Sequence, residues 1–223
     1  LTFNDLGLKE GLLKAITDLG FTTPSDIQAE AIPVALNGQD IIGQAQTGTG
    51  KTAAFGLPML NNITNRKAIS SIILAPTREL AIQVHDELVK LAKYEKLNVV
   101  AVYGGAPIHN QIRDIKKANI VVGTPGRVLD HIRRGTLPLD SVEFLVLDEA
   151  DEMLNMGFID DMEEIMKSIP EERQTLLFSA TMPSQIKKLT KKYLKEDSVH
   201  IAIARKELTG STITQNFFEV NNS

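Results

Sequence analysis

Short, β-branched apolar segments recur along the chain, and enough residues for a helix separate each one from the next. Continuous apolar segments rich in Ile and Val are typical of strands that are covered on both faces. Between them, apolar residues repeat at helical spacing, as at Leu80, Val84 and Leu88. This alternation predicts an α/β fold with a mostly parallel central sheet of about seven strands and helices on both faces. The predicted strands lie at residues 41–42, 72–74, 99–102, 120–122, 144–147, 176–178 and 201–203.

Polar, glycine-rich or charged residues follow the carboxyl end of each of the first six predicted strands. In open α/β sheets, ligands bind beyond the carboxyl ends of the parallel strands. Because these ends share one edge of the sheet, the sequence predicts a single working face built from loops that are far apart along the chain. The six clusters are residues 45–52, 76–80, 104–105, 123–127, 148–151 and 179–181.

The first cluster, residues 45–52, matches the phosphate-binding loop pattern, with Ala45 at the position of the first glycine. Its glycines allow a tight turn that points backbone N–H groups at phosphate oxygens, and the following helix adds its positive end. Lys51 is expected to neutralise the β- and γ-phosphates, and the Thr52 hydroxyl to join a Mg²⁺ shell. A plain glycine turn between strand and helix is the alternative. The predicted nucleotide contacts in the loop are Thr47, Gly48, Thr49, Gly50, Lys51 and Thr52.

Two adjacent carboxylates, Asp148 and Glu149, follow a fully apolar strand. In phosphate-loop enzymes a carboxylate at this place binds Mg²⁺, which is the role predicted for Asp148. Glu149 is a candidate to orient and deprotonate the attacking water, and alternation along the strand would let the two carboxylates take different tasks. A solvated acidic loop is the alternative. With the phosphate loop, the pattern predicts a nucleotide-hydrolysing site whose catalytic residues are Lys51, Asp148 and Glu149.

The ordered combination of these motifs resembles the DEAD-box family of ATP-dependent RNA helicases. Asp148-Glu149-Ala150-Asp151 stands in the family's order with the phosphate loop and with residues 76–80, 124–127 and 179–181. The resemblance covers nearly the whole chain and implies the first of the family's two RecA-like domains, at residues 1–208. Residues 209–223 are expected to be an exit segment towards a second RecA-like domain. The resemblance implies that ATP hydrolysis, with Mg²⁺, drives local unwinding of RNA duplexes or remodelling of RNA–protein complexes.

The resemblance also implies how the adenine base is bound. Residues 20–28 resemble the family's adenine-recognising segment, with Asp26 where proline is common and Phe3 as the isolated upstream aromatic. The Gln28 amide has both a donor and an acceptor for an adenine edge. Phe21 is suited to stack on the base, with packing in the core as the alternative. Phe3, Phe21 and Gln28 are therefore expected to bind the nucleotide.

A further implication of the resemblance is coupling between nucleotide and RNA. Ser179 and Thr181 resemble the element with this role, and they are expected to act through hydrogen bonds with Asp151. In the family, an arginine-rich motif of the second domain contacts the γ-phosphate, and nothing like it occurs in this chain. Because such arginines contribute about 10³- to 10⁵-fold in rate, we expect this chain alone to be nearly inactive.

RNA is expected to bind along its sugar–phosphate backbone. Thr124 and Pro125 have the pattern of a helix start, a cap followed by the first helical position, and plain capping is a compatible alternative. Gly126 leaves its backbone N–H uncovered for a phosphate, and Arg127 adds charge. Because the family contacts the backbone, the resemblance implies little base specificity. The predicted RNA contacts are Pro76, Thr77, Arg78, Gly105, Thr124, Pro125, Gly126 and Arg127.

Composition excludes some classes of protein and leaves others open. The chain has no Cys, which excludes disulfides and Cys-based metal sites, and its four His are scattered without ligand spacing. A formal net charge of −4 argues against a uniformly basic nucleic-acid binder but not against a local basic groove. No apolar run reaches the length of a membrane span, and a cytoplasmic location is expected. Two alternative functions stay open, a DNA-directed translocase of the same superfamily and an ATP-gated RNA clamp or scaffold.

Overall fold

All seven predicted apolar segments are strands in the computed structural model of the chain, which describes residues 1–204. The second, fourth and fifth strands are buried along their whole length, which explains why their sequences do not alternate between apolar and polar residues. Residues 205–208 of the predicted domain and the predicted exit segment, 209–223, lie outside the described residues. The strands are β1 (Ile41–Gln44), β2 (Ser71–Leu74), β3 (Val99–Val102), β4 (Ile120–Gly123), β5 (Phe144–Leu147), β6 (Gln174–Ser179) and β7 (Val199–Ala202).

Helices precede the sheet and connect its successive strands. Two predicted helix starts are confirmed, since one helix begins at Lys51 and another begins at Pro125 with Thr124 as its N-cap. Asp26 is the first residue of an earlier helix, where a carboxylate interacts favourably with the positive end of the helix. After a short 3₁₀ helix (Phe3–Leu6), the helices are α1 (Glu10–Asp18), α2 (Asp26–Leu36), α3 (Lys51–Asn62), α4 (Arg78–Leu91), α5 (Ile108–Ile115), α6 (Pro125–Arg133), α7 (Ala150–Asn155), α8 (Ile159–Ser168) and α9 (Ser184–Tyr193).

The seven strands form one sheet in the order β3-β4-β2-β5-β6-β1-β7. Every strand pairing among the described residues is parallel, so the sheet is all-parallel where the sequence predicted a mostly parallel one. Parallel neighbours require crossover connections, which the helices supply. The register pairs Ile41 with Leu176 and Ile73 with both Val122 and Val146.

Two hydrophobic cores cover the two faces of the sheet. Ile73, Val122 and Val146 pack into one core with apolar residues of α2, α3 and α4. Their chain neighbours Ile72, Val121 and Leu145 pack into the other core with residues of α6, α7, α8 and α9. Successive strand residues point to opposite faces, so this division follows from the pleat. The prediction of helices on both faces is therefore confirmed.

The strand order divides the working face into two parts. The carboxyl ends of three neighbouring strands, β5, β6 and β1, are called the β5–β6–β1 edge. They carry the clusters at residues 148–151, 179–181 and 45–52. The β3–β4–β2 edge carries the clusters at residues 104–105, 123–127 and 76–80. Among residues 1–204, the structure has no helix with the length and apolar character needed to cross a membrane.

Candidate functional site

The phosphate loop joins β1 to α3 and contains two residues in the left-handed region. Gly48 and Gly50 have φ values of 78° and 82°, which other residues adopt only with strain. Thr49 Oγ1 donates to the Gln46 carbonyl (2.8 Å), which closes the turn. The loop ends where α3 begins, at Lys51, and the backbone N–H groups of a first helical turn have no partners within the helix. The arrangement is suited to bind an anion.

Lys51 is the centre of a buried ion-pair cluster. Its Nζ lies 2.9 Å from Asp148 Oδ1 and 3.4 Å from Glu149 Oε1. Strand alternation was expected to direct the two carboxylates differently, but β5 ends at Leu147 and the alternation ends with it. Glu149 instead has φ 52°, a left-handed conformation, and it caps α7. This turn allows both carboxylates to reach the same ammonium group.

Burial governs the chemistry of Asp148, whose side chain is 1% exposed. Burial raises the pKa of Asp148, and the Lys51 ammonium opposes that rise. Although Lys51 Nζ is at ion-pair distance, Asp148 Oδ1 has no hydrogen bond of good geometry. A buried carboxylate oxygen without a hydrogen bond is uncommon, and it leaves coordination capacity for a cation.

The oxygen atoms around Lys51 fit Mg²⁺ when a nucleotide supplies further ligands. In residues 1–204 no group of three or more His, Cys, Asp or Glu side chains is arranged to hold a metal. Mg²⁺ is usually bound by one or two carboxylates together with substrate phosphates and water. Asp148, with its unbonded oxygen, and the Thr52 hydroxyl in the first turn of α3 match that pattern.

Phe21 and Gln28 line one cavity of about 270 Å³ beside the phosphate loop. Phe21 is 45% exposed, so it is not a core aromatic and has a surface on which a base can stack. Gln28 is buried, and its amide already has partners: Oε1 accepts from the Ser25 N–H (2.9 Å), and Nε2 donates to the Gly50 carbonyl (3.0 Å). A base that pairs with Gln28 must compete with these bonds. The other residues that line the cavity are Leu19, Gly50, Ala53, Glu87, Lys90 and Leu91.

Phe3 is not part of this cavity. It is buried in the hydrophobic core that includes Leu6 and Leu8, and the 3₁₀ helix that carries it contacts α2. The expectation of direct contact between Phe3 and the nucleotide is therefore not met, because a buried ring has no free face for a base. Phe3 instead lies in the 3₁₀ helix that contacts α2, the helix that carries Gln28.

The predicted coupling residues form one hydrogen-bonded unit between β6 and α7. Thr181 donates to Asp151 Oδ2 from its backbone N–H (3.1 Å) and from its hydroxyl (2.9 Å). The Asp151 N–H donates to Ser179 Oγ (3.1 Å), which confirms the predicted hydrogen bonding. Burial by itself raises the pKa of Asp151, but the hydrogen bonds outweigh it and lower the pKa. Asp151 lines a cavity of about 350 Å³ together with Lys51 and Glu149.

Comparison with known proteins agrees with this geometry. The model of the DEAD/DEAH box helicase family matches residues 25–189. The chain belongs to this family. It is 54% identical over 221 residues to the DEAD-box ATP-dependent RNA helicase CshA of Bacillus cereus (strain ATCC 10987 / NRS 248), covering 98% of this chain and 42% of that protein. It is 52% identical to CshA of Bacillus subtilis (strain 168), covering 99% of this chain and 45% of that protein. The chain thus spans less than half the length of these curated relatives.

Solved structures of DEAD-box proteins share the fold. A DEAD box protein from the hyperthermophile Methanococcus jannaschii matches with a TM-score of 0.87 and 51% identity, over 90% of this chain and 55% of that chain. A hypothetical ATP-dependent RNA helicase from Sulfolobus tokodaii matches with a TM-score of 0.82 and 38% identity, over 88% of this chain and 57% of that chain. The predicted RecA-like fold is thereby confirmed.

In this DEAD-box domain, the residues predicted to bind RNA lie together at the β3–β4–β2 edge. Thr77 caps α4, since its Oγ1 accepts from the Leu80 N–H (3.1 Å). The exposed Arg78 guanidinium lies over the Tyr103 ring, 4.9 Å from its centroid. Gly105 is exposed beside it, with φ 83°. A side chain added at Gly105 would therefore be strained, although its Cβ would come no closer than 3.9 Å to Arg78.

The start of α6 presents backbone more than side chain. Gly126 is exposed, whereas Pro125, the first residue of α6, is buried. Pro76, which precedes α4, is also buried. Thr124 is the N-cap residue, but its side chain makes no capping hydrogen bond. Its hydroxyl is therefore not committed to the helix. This combination fits a site that binds a phosphate through N–H groups and a hydroxyl.

Arg127 differs from its prediction. Its side chain is only 16% exposed, and Nη1 donates to the Ala106 carbonyl (3.0 Å) and to Gln111 Oε1 (3.1 Å). The expectation that Arg127 adds charge to an RNA surface is therefore not met, because the guanidinium is directed into the protein. Its contacts connect α6 to the loop that carries Gly105.

The buried hydrogen bonds of Gln111 and His131 were not predicted from the sequence, in which His131 is one of four scattered histidines. A detectable signal existed for Gln111, which is three residues after Ile108 and four before Ile115, on the apolar side of α5. A polar residue at a position where the helical period requires an apolar one indicates a buried hydrogen-bonded group. His131 gave no such signal, because its partners are set by the tertiary fold.

Proposed function

We propose that this chain is the ATP- and RNA-binding N-terminal half of a cytoplasmic ATP-dependent RNA helicase, which couples ATP hydrolysis to local RNA unwinding or to remodelling of RNA–protein complexes. The observation that carries the proposal is the cavity lined jointly by Lys51, Glu149 and Asp151. It joins the phosphate site to the hydrogen-bonded unit of Ser179 and Thr181. The proposal agrees with the relatives described above, which are named as ATP-dependent RNA helicases.

ATP binding is assigned to the phosphate loop and to the cavity beside it. The loop from Thr47 to Gly50 and the first turn of α3 supply N–H groups for the phosphates. Lys51 exchanges its ion pairs with Asp148 and Glu149 for phosphate oxygens. Phe21 stacks on the adenine, and Gln28 gives up its internal hydrogen bonds to pair with the adenine edge.

Hydrolysis is assigned to the two carboxylates that Lys51 releases. Glu149, freed from the ammonium, orients the attacking water and accepts its proton. Asp148 and the Thr52 hydroxyl would hold Mg²⁺, which when bound neutralises charge on the β- and γ-phosphates. Lys51 holds the γ-phosphate in position, so its ammonium stabilises the charge that develops there.

RNA binding is assigned to the β3–β4–β2 edge, and closure to a second domain. Thr77, Arg78, Gly105, Thr124 and Gly126 supply N–H groups, hydroxyls and one exposed guanidinium for the sugar–phosphate backbone. We assign residues 1–208, the range predicted from the sequence, to the first RecA-like domain, and closure to a second RecA-like domain of the full-length protein. ATP and RNA would together close the two domains around the cleft. The Asp151–Ser179–Thr181 unit transmits the state of the phosphate site to that interface.

The test measures ATP hydrolysis by the full-length protein without nucleic acid, with RNA and with DNA of the same sequence. We expect RNA to stimulate hydrolysis at least tenfold more than DNA does, and a short RNA duplex to separate only when ATP is present. Equal stimulation by DNA would favour a translocase on DNA. RNA binding that depends on ATP but occurs without turnover would favour a clamp, and either result would overturn the proposal.

A further inference from the structure

Gln111 and His131 lie beneath the β3–β4–β2 edge and have no role in the function proposed above. Gln111 belongs to α5 and is 6% exposed, and His131 belongs to α6 and is 0% exposed. Neither side chain can touch RNA. Polar groups that are buried this deeply are retained only when hydrogen bonds satisfy them, so their partners indicate their purpose.

The Gln111 amide contacts two separate segments of the chain. Its Nε2 donates to the Tyr103 carbonyl (2.9 Å), which fixes Nε2 as the donor because a carbonyl only accepts. Its Oε1 therefore accepts, both from Arg127 Nη1 (3.1 Å) and from His131 Nε2 (2.9 Å). One side chain thus connects the loop that follows β3 with two successive turns of α6.

His131 completes this arrangement from the far side. Because its Nε2 donates to Gln111, its Nδ1 accepts from the Thr136 hydroxyl at 2.8 Å in the neutral ring. Burial, with Arg127 nearby, lowers the pKa of His131, so the ring is neutral at physiological pH. Every ring nitrogen has a partner, and the ring fixes the position of the Gln111 oxygen.

Both connected segments carry residues that were predicted to bind RNA. The Tyr103 carbonyl lies two residues before Gly105, and Arg127 directly follows Gly126. Arg127 adds a second connection between the same segments by donating to the Ala106 carbonyl (3.0 Å). The segments follow β3 and β4, which are neighbours in the sheet. The strand pairing and a hydrogen bond from the Thr124 N–H to the Val102 carbonyl (3.2 Å) also join these segments, but only as far as the strand ends. The side-chain bonds connect the residues beyond the strand ends.

We infer that Gln111, supported by His131, is a positioning residue for RNA binding, which holds the Gly105 loop and the start of α6 at the separation that one RNA strand requires. The inference rests on the proposed function. Backbone N–H groups cannot follow a displaced phosphate as a long side chain can. A site built from them therefore depends on rigid support from the residues behind it.

Two substitutions of Gln111 test whether its hydrogen bonds position the segments that are proposed to bind RNA. Gln111→Leu has a similar size and removes all three hydrogen bonds. Gln111→Glu keeps the acceptors for Arg127 and His131 but cannot donate to the Tyr103 carbonyl. Val142→Ala is the control, because Val142 is buried in the same hydrophobic core as His131's helix but precedes β5, at the opposite end of the strands. It lowers stability without touching either segment.

The experiment measures RNA-stimulated ATP hydrolysis by the full-length protein. For Gln111→Leu we expect the RNA concentration at half-maximal stimulation to rise about tenfold, with a smaller rise for Gln111→Glu. The maximal rate and the ATP affinity should stay within about twofold, and amide hydrogens of residues 103–106 should exchange faster. Val142→Ala should change none of these.

Three outcomes overturn the inference in distinguishable ways. If a folded Gln111→Leu protein needs the same RNA concentration for half-maximal stimulation as the wild type, the positioning role of Gln111 is wrong and the proposed function stands. Equal effects of Val142→Ala and Gln111→Leu would assign the change to general stability. A wild-type protein that RNA does not stimulate would contradict the proposed function, and the inference with it.

Discussion

The β5–β6–β1 edge and the β3–β4–β2 edge of the working face are built from different kinds of groups. At the β5–β6–β1 edge, charged side chains meet directly, with Lys51 2.9 Å from Asp148 and both of them buried. At the β3–β4–β2 edge, the charged Arg127 is turned inward, and exposed glycine backbone and helix starts face outward. One edge is a compact charge cluster, whereas the other presents mainly backbone groups, together with the exposed guanidinium of Arg78.

This difference matches the ligands proposed for each edge. A triphosphate concentrates negative charge, which the buried Lys51 ammonium can balance at short range once it leaves the two carboxylates. An RNA strand distributes its phosphates along a length, so several N–H groups at defined positions serve better than one strong charge. It also explains why a chain with a net charge of −4 fits an RNA-binding role. In the proposed function, Asp148 and Glu149 serve the nucleotide, and the RNA strand needs few lysines and arginines.

The largest expected effect comes from changing Glu149, the member of the charge cluster that is proposed as the general base. Glu149→Gln removes the proton acceptor but keeps the size of the side chain. We expect the turnover number of the full-length protein to fall about 10²- to 10⁴-fold, while the ATP dissociation constant changes less than about threefold. Single-turnover hydrolysis and equilibrium ATP binding measure the two quantities.

The comparison between edges supplies the control for this variant. RNA binding in the presence of a non-hydrolysable ATP analogue should be unchanged in Glu149→Gln, because the substitution leaves the β3–β4–β2 edge intact. Retention of more than a tenth of the wild-type turnover would show that Glu149 is not the general base.

The next largest effect is on stability, from removing the cation of the cluster. Lys51→Met leaves two carboxylates facing each other, and we expect the free energy of unfolding to fall by about 2 kcal/mol at neutral pH. Asp148 relieves part of this by binding a proton, because burial raises its pKa above the ordinary value of 3.8. The folded state then binds more protons than the unfolded state.

The sign of the pH dependence follows from that raised pKa. The stability loss in Lys51→Met should be smallest in acid and should grow as the pH rises through the pKa of Asp148 in the folded state. Urea unfolding at pH 5 and pH 8 measures it, with Lys51→Arg as the variant that keeps the charge. An equal loss at both pH values would contradict the raised pKa.

A smaller effect, on nucleotide preference, is expected at the cavity lined by Phe21 and Gln28. Gln28→Ala removes the amide proposed to pair with adenine, so the preference for ATP over GTP should fall by about tenfold. Gln28→Glu keeps the acceptor for the Ser25 N–H but cannot donate to the Gly50 carbonyl. Titration of each variant with both nucleotides measures the ratio, and a wild-type protein that binds them equally would refute the role of Gln28.

The residues that meet in the charge cluster could be named from the sequence, whereas the side-chain directions at the β3–β4–β2 edge could not, for a physical reason. The roles of Lys51 and Asp148 can be predicted from local sequence. Lys51 directly follows the phosphate loop and Asp148 directly follows β5, and each side chain interacts mainly through its single charge. The direction of Arg127 depends on Gln111 and Ala106, which become its neighbours only when β3 pairs with β4. The left-handed turn at Glu149 was equally hidden, since no glycine marks it. Strand positions were readable from local patterns, whereas side-chain directions at the edge required the strand order.

The smallest expected effects come from a matched pair of threonines at the β3–β4–β2 edge. Thr77 and Thr124 both precede helices, but only Thr77 makes a capping hydrogen bond, to the Leu80 N–H at 3.1 Å. Thr77→Ala should therefore lower the free energy of unfolding by about 1 kcal/mol and the melting temperature by roughly 2–4 °C. Thr124→Ala should change stability by less than about 0.5 kcal/mol.

RNA binding should reverse the order of these two substitutions, because the oxygen of the Thr77 hydroxyl is already bonded to the Leu80 N–H and only its proton can reach a phosphate. The Thr124 hydroxyl is not used by its helix and can bond a phosphate, so Thr124→Ala should weaken RNA binding severalfold, by about 1 kcal/mol. Serine at either position keeps the hydroxyl and should restore wild-type behaviour. If Thr124→Ala instead destabilises the fold as much as Thr77→Ala, its hydroxyl is a cap in solution. The β3–β4–β2 edge would then bind RNA through its backbone N–H groups and Arg78, with Thr124 needed only to start α6.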